Sequence, residues 1–513
     1  MIELLLRFKT AVDLSLFVLI SAVCVIWAYR MQRSKKNLNL VPVIILNSVL
    51  FAAWGVLSEI NHDDAGYMHF SWLISQGLVP FRDFWDHHSP FLPLLLAPVM
   101  RAAPKSAAIY DIARIFSGCV FLINVFLGWR IARQVWEDKA RLSVYLLLIS
   151  SAGIFGHYFL LRPDIFMVFF ILAGILICLK MSGRGILSYF IAGICFGLAM
   201  SFITKQYLLV FLPVIVMLLG QKSGWGWKLA AYIVGFCAGI LPLMSYLIGM
   251  DILRDFVFWV FIFNGKNLNI GVHFPLVILA TGLWGAYVLM RRFRESKNIK
   301  AAILVWAFSL STISSLTTTS DLDGLYYLGL WYFICAIAAS GASLPQMLDR
   351  IQSLGKRSLI AGLIFSALLT PNFAYIWKYR HADFIKNKKA AAELMAYTNQ
   401  DSCVILLPMH PVFSHDATRL YSGWQYNFTL LFPEVREDAM QPPIAEKIRA
   451  SRPAVIQCRY NKRDFILELY QKKLISASQY KELIAFLIAN YTQKDIGGQV
   501  YYIRNDKLSA AIK

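Results

Sequence analysis

The sequence predicts a polytopic α-helical membrane protein with about twelve transmembrane helices and a C-terminal soluble α/β domain. The 513 residues are 58% hydrophobic and only 16% charged, with a mean hydropathy of +0.56, whereas roughly 25% of the residues of an ordinary soluble domain are charged. Apolar windows of about 17–20 residues, which suffice to cross hydrocarbon as a helix, recur as far as Trp377. Hydrophobicity then drops, which divides the chain into a transmembrane domain, 1–377, and a soluble domain, 378–513.

The predicted membrane helices follow the apolar windows in chain order. They are 11–29, 40–58, 109–130, 142–160, 164–180, 186–203, 207–220, 229–249, 274–290, 301–317, 326–343 and 358–377. The window at 207–220 is the shortest of them. The first window runs directly into Arg30 without a small-residue cleavage site, so we expect it to remain a membrane helix.

Basic residues are distributed unevenly between the two sets of alternating loops. Twenty lysines and arginines lie in 30–36, 130–141, 180–184, 222–228, 291–300 and 350–357, and seven lie in the other set. Because lysine and arginine favour the cytoplasmic side of short loops, the richer set faces the cytoplasm. Loop 59–108, loop 250–273 and the C-terminal domain then face outward. This asymmetry and the tail explain most of the net charge of +20, so we do not expect nucleic-acid binding.

The outward loop 59–108 is too long and too patterned for a plain connector. Residues 65–76 and 91–100 show helical spacing, with Gly77 placed to end the first helix and Pro90 to start the second. Aromatic residues of this loop are expected to anchor it at the membrane interface. These are Trp72, Phe81, Phe84 and Trp85.

The C-terminal domain reads as alternating strands and helices. Its buried strands are expected in CVILLP (403–408), PAVIQC (453–458) and QVYYIR (499–504), and helices at 384–398 and 476–490.

Charged residues are sparse inside the predicted spans and gather near their outward ends. They are Asp63, Asp64, Arg162, Asp164, Lys205, Asp321 and Asp323. A secondary transporter should instead place ionisable groups near the bilayer midplane. Acids at an interface can deprotonate a hydroxyl, and nearby cations can neutralise a phosphate leaving group. This pairing suits sugar transfer from a lipid-phosphate donor, whose reacting bond lies just above the membrane.

An ordered series of motifs also resembles a known family. HDDAGY (62–67), GLVPFRDFWDHHSPF (77–91), ARIF (113–116), LLRPD (160–164) and GLAMSFITKQ (197–206) resemble the polytopic GT-C glycosyltransferases, specifically the protein mannosyltransferase and aminoarabinose transferase branch. The resemblance covers about residues 40–380 and implies a GT-C fold. It implies that Asp63 is the catalytic base that activates the acceptor hydroxyl. The alternative is an acid that caps the helix or orders the loop. Asp64 would orient the acceptor or the base, or would be structural.

Four cations are candidates for binding the donor phosphate: Arg82, Arg162, Lys205 and Lys266. For Arg162 the alternative is an ion pair with Asp164 that fixes the turn around Pro163. For Lys205 the alternative is a lysine that extends its ammonium from a helix end to the interface. Loop 250–273 has the size and polarity to close over a donor, or it is a solvated connector.

Asp86, His87 and His88 are candidates for hydrogen bonds to the acceptor or a phosphate, or for a divalent cation, since carboxylate and imidazole suit zinc or manganese. The alternative is that they only give the loop its structure. They match the stretch before the family's paired prolines, although Ser89 replaces the first proline. Adjacent histidines point apart on a helix or strand, so at most one is expected to face the site. No cofactor is required by the sequence.

One segment departs from the family pattern. Where relatives often carry Lys or Arg before a Tyr-Leu-rich helix, this chain has Asp321 and Asp323. These acids would repel a phosphate, so either the phosphate is held elsewhere, by Arg82, Lys205 or Lys266, or the two acids bind a cation or an amino-bearing substrate. Asp164 is a separate candidate for contact with the acceptor or a metal.

The resemblance therefore implies an inverting glycosyltransferase in a bacterial-type cytoplasmic membrane, with its site facing the periplasm or exterior. The donor would be a polyprenyl-phosphate sugar, and the acceptor a hydroxyl of a glycan, lipid or protein of the cell envelope. Two alternatives stay open: a flippase or transporter for lipid-linked sugars, and an oligosaccharide ligase or polymerase that uses a lipid diphosphate donor.

Overall fold

The structure is a computed structural model that describes residues 62–84, 86–103, 105–136, 160–181, 185–219, 224–263, 298–318, 383–398, 444–457 and 475–511, with short pieces around positions 290, 359, 403, 412 and 465. In chain order its first helices are α1 (His62–Ser75), α2 (Phe91–Ala102), α3 (Ala108–Trp136), α4 (Pro163–Lys180), α5 (Ile186–Phe202), α6 (Leu212–Leu219), α7 (Trp225–Gly249), α8 (Leu253–Phe256) and α9 (Ile299–Thr318). A 3-10 helix, Thr204–Phe211, precedes α6, and a π-helical turn, Val257–Phe263, follows α8.

Five predicted spans are confirmed as helices: 109–130, 164–180, 186–203, 229–249 and 301–317. Among the described residues, α3, α4 and α7 are long and apolar enough to cross a membrane. The window 207–220 differs from the prediction, because a 3-10 helix fills its first half and α6 has only 8 residues. The spans at 11–29, 40–58, 142–160, 274–290, 326–343 and 358–377 lie wholly or mostly outside the described residues, so the total of twelve stays a prediction.

Large apolar side chains cover the outer surface of these helices. Ile115 on α3, Leu187 on α5 and Leu241 on α7 are 68%, 67% and 60% exposed. A water-soluble monomer rarely exposes contiguous apolar surface on this scale. Together with the length of α3, α4 and α7, this surface identifies a membrane protein.

Helices α5 and α7 cross at a distance that only glycine permits. A Cβ atom on Gly235 would lie 2.0 Å from the carbonyl oxygen of Phe190, and one on Gly239 would lie 2.5 Å from that of Ile194. Gly193 and Gly197 make the matching approach from α5. Small residues four apart on both helices let the backbones meet, as in membrane helix pairs of the Gly-x-x-x-Gly type.

Loop 59–108 contains the two predicted helices, α1 and α2, and Gly77 follows α1 with a φ of +89°. The expectation that its aromatic rings anchor at the membrane interface was wrong for those described. Trp72, Phe81 and Phe84 are each at most 2% exposed and pack inside the protein. Burial there removes their whole apolar surface from water, a larger gain than partial contact with headgroups would give. Trp85 lies outside the described residues.

The C-terminal part contains a four-stranded sheet with the order β1-β2-β6-β5. The strands are β1 (Cys403–Val404), β2 (Val455–Gln457), β5 (Tyr491–Ile496) and β6 (Gln499–Arg504), and a separate pair is formed by β3 (Arg459–Tyr460) and β4 (Arg463–Asp464). Strands β1 and β2 are parallel, and β6 is antiparallel to both of its neighbours. The helices are α10 (Asp383–Thr398), α11 (Ile444–Ser451), α12 (Phe465–Gln471), α13 (Ala477–Asn490) and α14 (Asn505–Ala511). Each predicted strand and helix has its counterpart among the described residues, whereas β3, β4, β5, α11, α12 and α14 were not predicted.

The C-terminal part packs directly on α1 and α3. The fully buried ring of His69 contacts the carbonyl oxygen of Val412 through Nδ1 at 3.0 Å, and Trp72 meets Phe413 edge to face. On α3, Asp111 pairs with Lys388 of α10. The contacts of His69 and Trp72 fasten α1, which has the two acids in its first turn, to a segment more than 300 residues later in the chain.

A capping box begins α13. The Ser476 hydroxyl accepts a hydrogen bond from the backbone N–H of Gln479 at 3.2 Å, and the Gln479 side chain accepts one from the N–H of Ser476 at 2.8 Å. We expect Ser476→Ala to cost about 1 kcal/mol of local stability, because it leaves a helix N–H without its acceptor. Amide hydrogen exchange of the α13 peptide should then accelerate about fivefold. Ser478→Ala, which removes only an exposed bond to Glu482, is the matched control, and equal acceleration by both variants would contradict the prediction.

Candidate functional site

The two acids at the start of α1 have different surroundings. Both lie in the first turn, where the positive end of the helix dipole favours carboxylates. The side chain of Asp63 is 21% exposed, whereas that of Asp64 is 3% exposed. Only Asp63 therefore presents a carboxylate that a substrate can approach.

Asp64 joins three segments of the chain. Its Oδ2 lies 3.2 Å from Nη2 of Arg114 on α3, and its Oδ1 accepts a hydrogen bond from the backbone N–H of Leu161, just before α4. All of these groups are buried. Loss of one partner of a buried ion pair strongly destabilises a protein. The pair of Asp64 with Arg114 and the bond of Asp64 to Leu161 therefore fix the relative positions of α1, α3 and α4.

Arg162 lies between two carboxylates. Its Nη1 donates to Oδ2 of Asp63, and its Nε donates to Oδ2 of Asp164 at 2.8 Å. The backbone of Arg162 is extended, and Pro163 is the first residue of α4. This start of the helix directs the guanidinium of Arg162 towards α1. The predicted pair with Asp164 is thus present, and the same guanidinium also holds Asp63.

Tyr67 lies beside the ion-pair cluster, which consists of Asp63, Asp64, Arg114, Arg162 and Asp164. Burial is the largest cause that raises the pKa of its hydroxyl well above the ordinary value, and the nearby Arg162 guanidinium opposes this effect. The carboxylates of Asp63, Asp86 and Asp164 also act on it. The ring of Tyr67 meets the His88 ring edge to face, with 5.9 Å between centroids. Tyr67 therefore joins the ion-pair cluster to the second polar group of the loop and stays neutral at physiological pH.

Asp86, His87 and His88 form that second polar group. Oδ1 of Asp86 accepts hydrogen bonds from the backbone N–H groups of His87 and His88 at 2.7 and 3.0 Å, and it lies 3.2 Å from Nδ1 of His88. The expectation that the two imidazoles point apart was wrong, because their ring centroids are only 3.8 Å apart. The segment is neither helix nor strand, and the Asp86 side chain bends it so that both rings converge.

These three residues suit a divalent cation in donor type and spacing. One ligand atom from each lies within 4.8 Å of the others. Three protein ligands, with a further position left for substrate or water, are usual for catalytic zinc. Four carboxylates lie in or beside the two groups, those of Asp63, Asp64, Asp86 and Asp164; Asp64 pairs with Arg114, and Asp63 and Asp164 share Arg162.

Arg82 is the one other predicted cation whose side chain the structure describes, and it does not lie in this cluster. Arg82 is exposed and lies 3.5 Å from Asp83, at a turn outside the ion-pair group. Lys205 lies in the 3-10 helix Thr204–Phe211, directly after α5. Lys266, Asp321 and Asp323 lie outside the described residues. Of loop 250–273, the described part ends at Phe263, whose ring lies 6.2 Å from that of His87.

Two members of the site were not predicted as such. Arg114 stands within the quoted ARIF motif, and Tyr67 within HDDAGY, but neither was assigned a role. An arginine at the start of an otherwise apolar span is a signal in itself, because its charge requires a partner at membrane depth. For Tyr67 the sequence carries no comparable signal.

The comparison with solved structures is the one that bears on the fold. No protein-family model matches the sequence, and a search of curated proteins found no match. Among solved structures, ArnT from Cupriavidus metallidurans bound to undecaprenyl phosphate is similar, with a TM-score of 0.56 and 11% identity over 91% of this chain and 98% of that one. The apo state of the same protein gives a TM-score of 0.55 and 11% identity over 90% and 97%. ArnT is an aminoarabinose transferase of the GT-C superfamily. This likeness shows that the chain has the GT-C fold that its motifs predicted.

Proposed function

We propose that this chain is an inverting glycosyltransferase that moves a sugar from a polyprenyl-phosphate donor to an acceptor hydroxyl. The observation that carries the proposal is the Asp63 carboxylate, which is partly exposed and held by Arg162 at the head of α1 in a GT-C fold. A fold alone does not fix an activity. The geometry adds a base candidate, a fixed orientation for it and buried cations beside it.

In the proposed reaction Asp63 removes the proton of the acceptor hydroxyl as the hydroxyl oxygen attacks the anomeric carbon of the sugar. The new glycosidic bond forms while the bond between that carbon and the phosphate oxygen breaks, and the electron pair leaves with the lipid phosphate. A single displacement of this kind inverts the anomeric centre. Holding the base in place by Arg162 contributes to the rate, because a fixed carboxylate requires less reorganisation in the transition state.

The proposal assigns the remaining residues by position. Arg162 first orients Asp63, and it also supplies positive charge towards the departing phosphate, with Arg82, Lys205 and Lys266 as further phosphate contacts. Asp64 holds Arg114 and keeps α1, α3 and α4 together. Asp86, His87 and His88 bind the acceptor or a divalent cation, which would polarise a bound oxygen there. Asp164 anchors Arg162 from the other side, and Asp321 and Asp323 remain candidates for contact with a cation or an amino-bearing substrate.

We further propose that the chain works in a bacterial-type cytoplasmic membrane with this site on the outer face. The excess of basic residues in one set of loops supports this orientation, because loop 59–108 belongs to the other set. The ArnT structure contains undecaprenyl phosphate, which makes the same class of lipid the first donor carrier to test here.

The choice of donor tests the proposal. Purified protein in lipid nanodiscs should transfer sugar from at least one polyprenyl-monophosphate sugar of a panel that includes neutral and amino pentoses and hexoses. For matched diphosphate donors kcat/KM should be lower by about tenfold or more, because the proposed site stabilises a leaving group with a single phosphate. Preference for diphosphate donors would support the ligase reading. Movement of lipid-linked sugar across vesicles, with no new glycosidic bond from any donor, would contradict enzymatic transfer.

A further inference from the structure

The loop that carries Asp86, His87 and His88 is tied to a distant helix end. The hydroxyl of Ser89 donates a hydrogen bond of 2.5 Å to the backbone carbonyl of Ser201, 112 residues later. Ser89 is 5% exposed and Ser201 is 1% exposed, so water does not compete for this bond. Next to it, the rings of Phe91 and Phe202 meet edge to face, with 4.9 Å between centroids.

The acceptor of this bond, the carbonyl oxygen of Ser201, lies in the last turn of α5, where the helix supplies no N–H donor. Helix α5 ends at Phe202, and Ile203 is extended, with φ −150° and ψ 131°. The last four carbonyls of a helix lack intrahelical donors and need other ones. The Ser89 hydroxyl supplies such a donor from the outward loop, so the loop and the C-terminus of α5 satisfy each other.

We propose that Ser89 is a positioning residue that fixes the Asp86–His88 group relative to the segment that begins at Thr204. That segment is the 3-10 helix that carries Lys205, a proposed contact of the donor phosphate. The inference rests on the proposed function, in which the Asp86–His88 group binds the acceptor or a cation and Lys205 contacts the donor phosphate. Ser89 would set the distance between these two parts of the site. The Ser89 hydroxyl touches no reacting atom; it acts through the loop and the helix end that it joins.

Local hydrogen bonds transmit this tie to the imidazoles. Oδ1 of Asp86 accepts from the backbone of both histidines, so residues 86–88 move as a unit. The Ser89 hydroxyl also lies 3.4 Å from the backbone N of Phe91, where α2 begins. Loss of the hydroxyl would therefore release a short rigid unit at its C-terminal end and leave a buried carbonyl without this donor.

The test compares Ser89→Ala with Ser201→Ala. Each removes one buried serine hydroxyl, but Ser201→Ala keeps the backbone carbonyl that accepts from Ser89. It loses the bonds from its own Oγ to the carbonyls of Gly197, in the same helix at 3.1 Å, and of Gly239 on α7, at 3.5 Å. Amide hydrogen exchange of the peptides that cover 86–90 and 201–206 should accelerate about fivefold or more in Ser89→Ala, as expected for the loss of a buried hydrogen bond. Both peptides should exchange at nearly the wild-type rate in Ser201→Ala.

Kinetics supply the second readout. With a lipid donor that the wild type accepts, Ser89→Ala should lower kcat/KM by about tenfold, mainly through a higher KM for the donor, since misplacement of about 1 Å is costly in such sites. Equal exchange and equal kcat/KM in Ser89→Ala and Ser201→Ala would overturn the inference. If the wild type transfers no sugar from any donor, the proposed function fails, and the exchange comparison still decides the role of Ser89.

Discussion

Asp63→Asn is expected to lower the turnover number for sugar transfer by about 10²–10⁴-fold, the usual contribution of a general base. The amide has nearly the shape of the carboxylate and still accepts a hydrogen bond from Arg162, but it cannot take a proton from a hydroxyl. Arg162 keeps Asp164 as a counterion, so the substitution does not leave a buried guanidinium without a carboxylate. The fold should therefore persist while the chemistry is lost. Turnover is measured in nanodiscs at saturating donor and acceptor.

The matched control for this prediction is Asp111→Asn. Asp111 also lies in the first turn of a helix and pairs with a cation, Lys388, but its side chain is 42% exposed and it lies outside the ion-pair cluster. An exposed pair of this kind contributes little, about 0–1 kcal/mol, so turnover should stay within about twofold of the wild type. If Asp63→Asn elutes as folded protein and transfers sugar at the wild-type rate, Asp63 is not the base.

Gly235→Ala is expected to destabilise the membrane part severely. The added methyl would lie 2.0 Å from the carbonyl oxygen of Phe190, and backbone atoms cannot rotate away as a side-chain end can. Helices α5 and α7 must then separate along their crossing, which forfeits close backbone contact and the weak interactions that it permits. We expect a loss of about 3 kcal/mol or more, at the upper end of the range for overpacking. The thermal midpoint in detergent should fall by on the order of 5–10 °C.

Gly226→Ala, on the same helix, separates this effect from helix propensity. A Cβ at Gly226 meets nothing within 4 Å, so alanine there should be neutral or should stabilise α7 by roughly 0.5–1 kcal/mol. A midpoint for Gly235→Ala that matches that of Gly226→Ala would show that the helices do not meet as closely as described.

The sequence predicts best what depends on local composition. Windows such as 164–180 and 229–249 have one stable state in a membrane, a helix, so hydropathy suffices to place them. Strand β6 was recognisable in QVYYIR because apolar residues dominate it. Its neighbour β5, YTQKDI, was missed because it lies at the edge of the described sheet, where three of its six residues are exposed and polar residues are tolerated.

What depends on long-range pairing was harder to predict. Asp63 and Asp64 are adjacent and chemically identical, so apart from the family resemblance nothing local tells them apart; in the structure Arg114 and Leu161, far along the chain, enclose Asp64. Trp72 and Phe81 were assigned to the membrane interface because aromatic rings are common there, but the contacts that bury them come from distant segments, including Phe413 for Trp72 and Phe256 for Phe81. Likewise, convergence of His87 and His88 follows from one side-chain acceptor, Asp86, and not from a regular backbone period.

The clasp of the C-terminal part on α1 has a consequence for biosynthesis. Helix α1 is made early, but the carbonyl that contacts the His69 ring belongs to Val412, 343 residues later, and the ring that packs on Trp72 belongs to Phe413. The entropy cost of closing a loop of this length comes before the contacts that offset it can form. The acidic helix therefore reaches its final packing only when most of the chain has been translated. Nascent and truncated chains that lack the segment around position 412 would have Asp63 on a helix whose packing is incomplete. The proposed sugar transfer would then begin only after that segment has been made and has packed on α1.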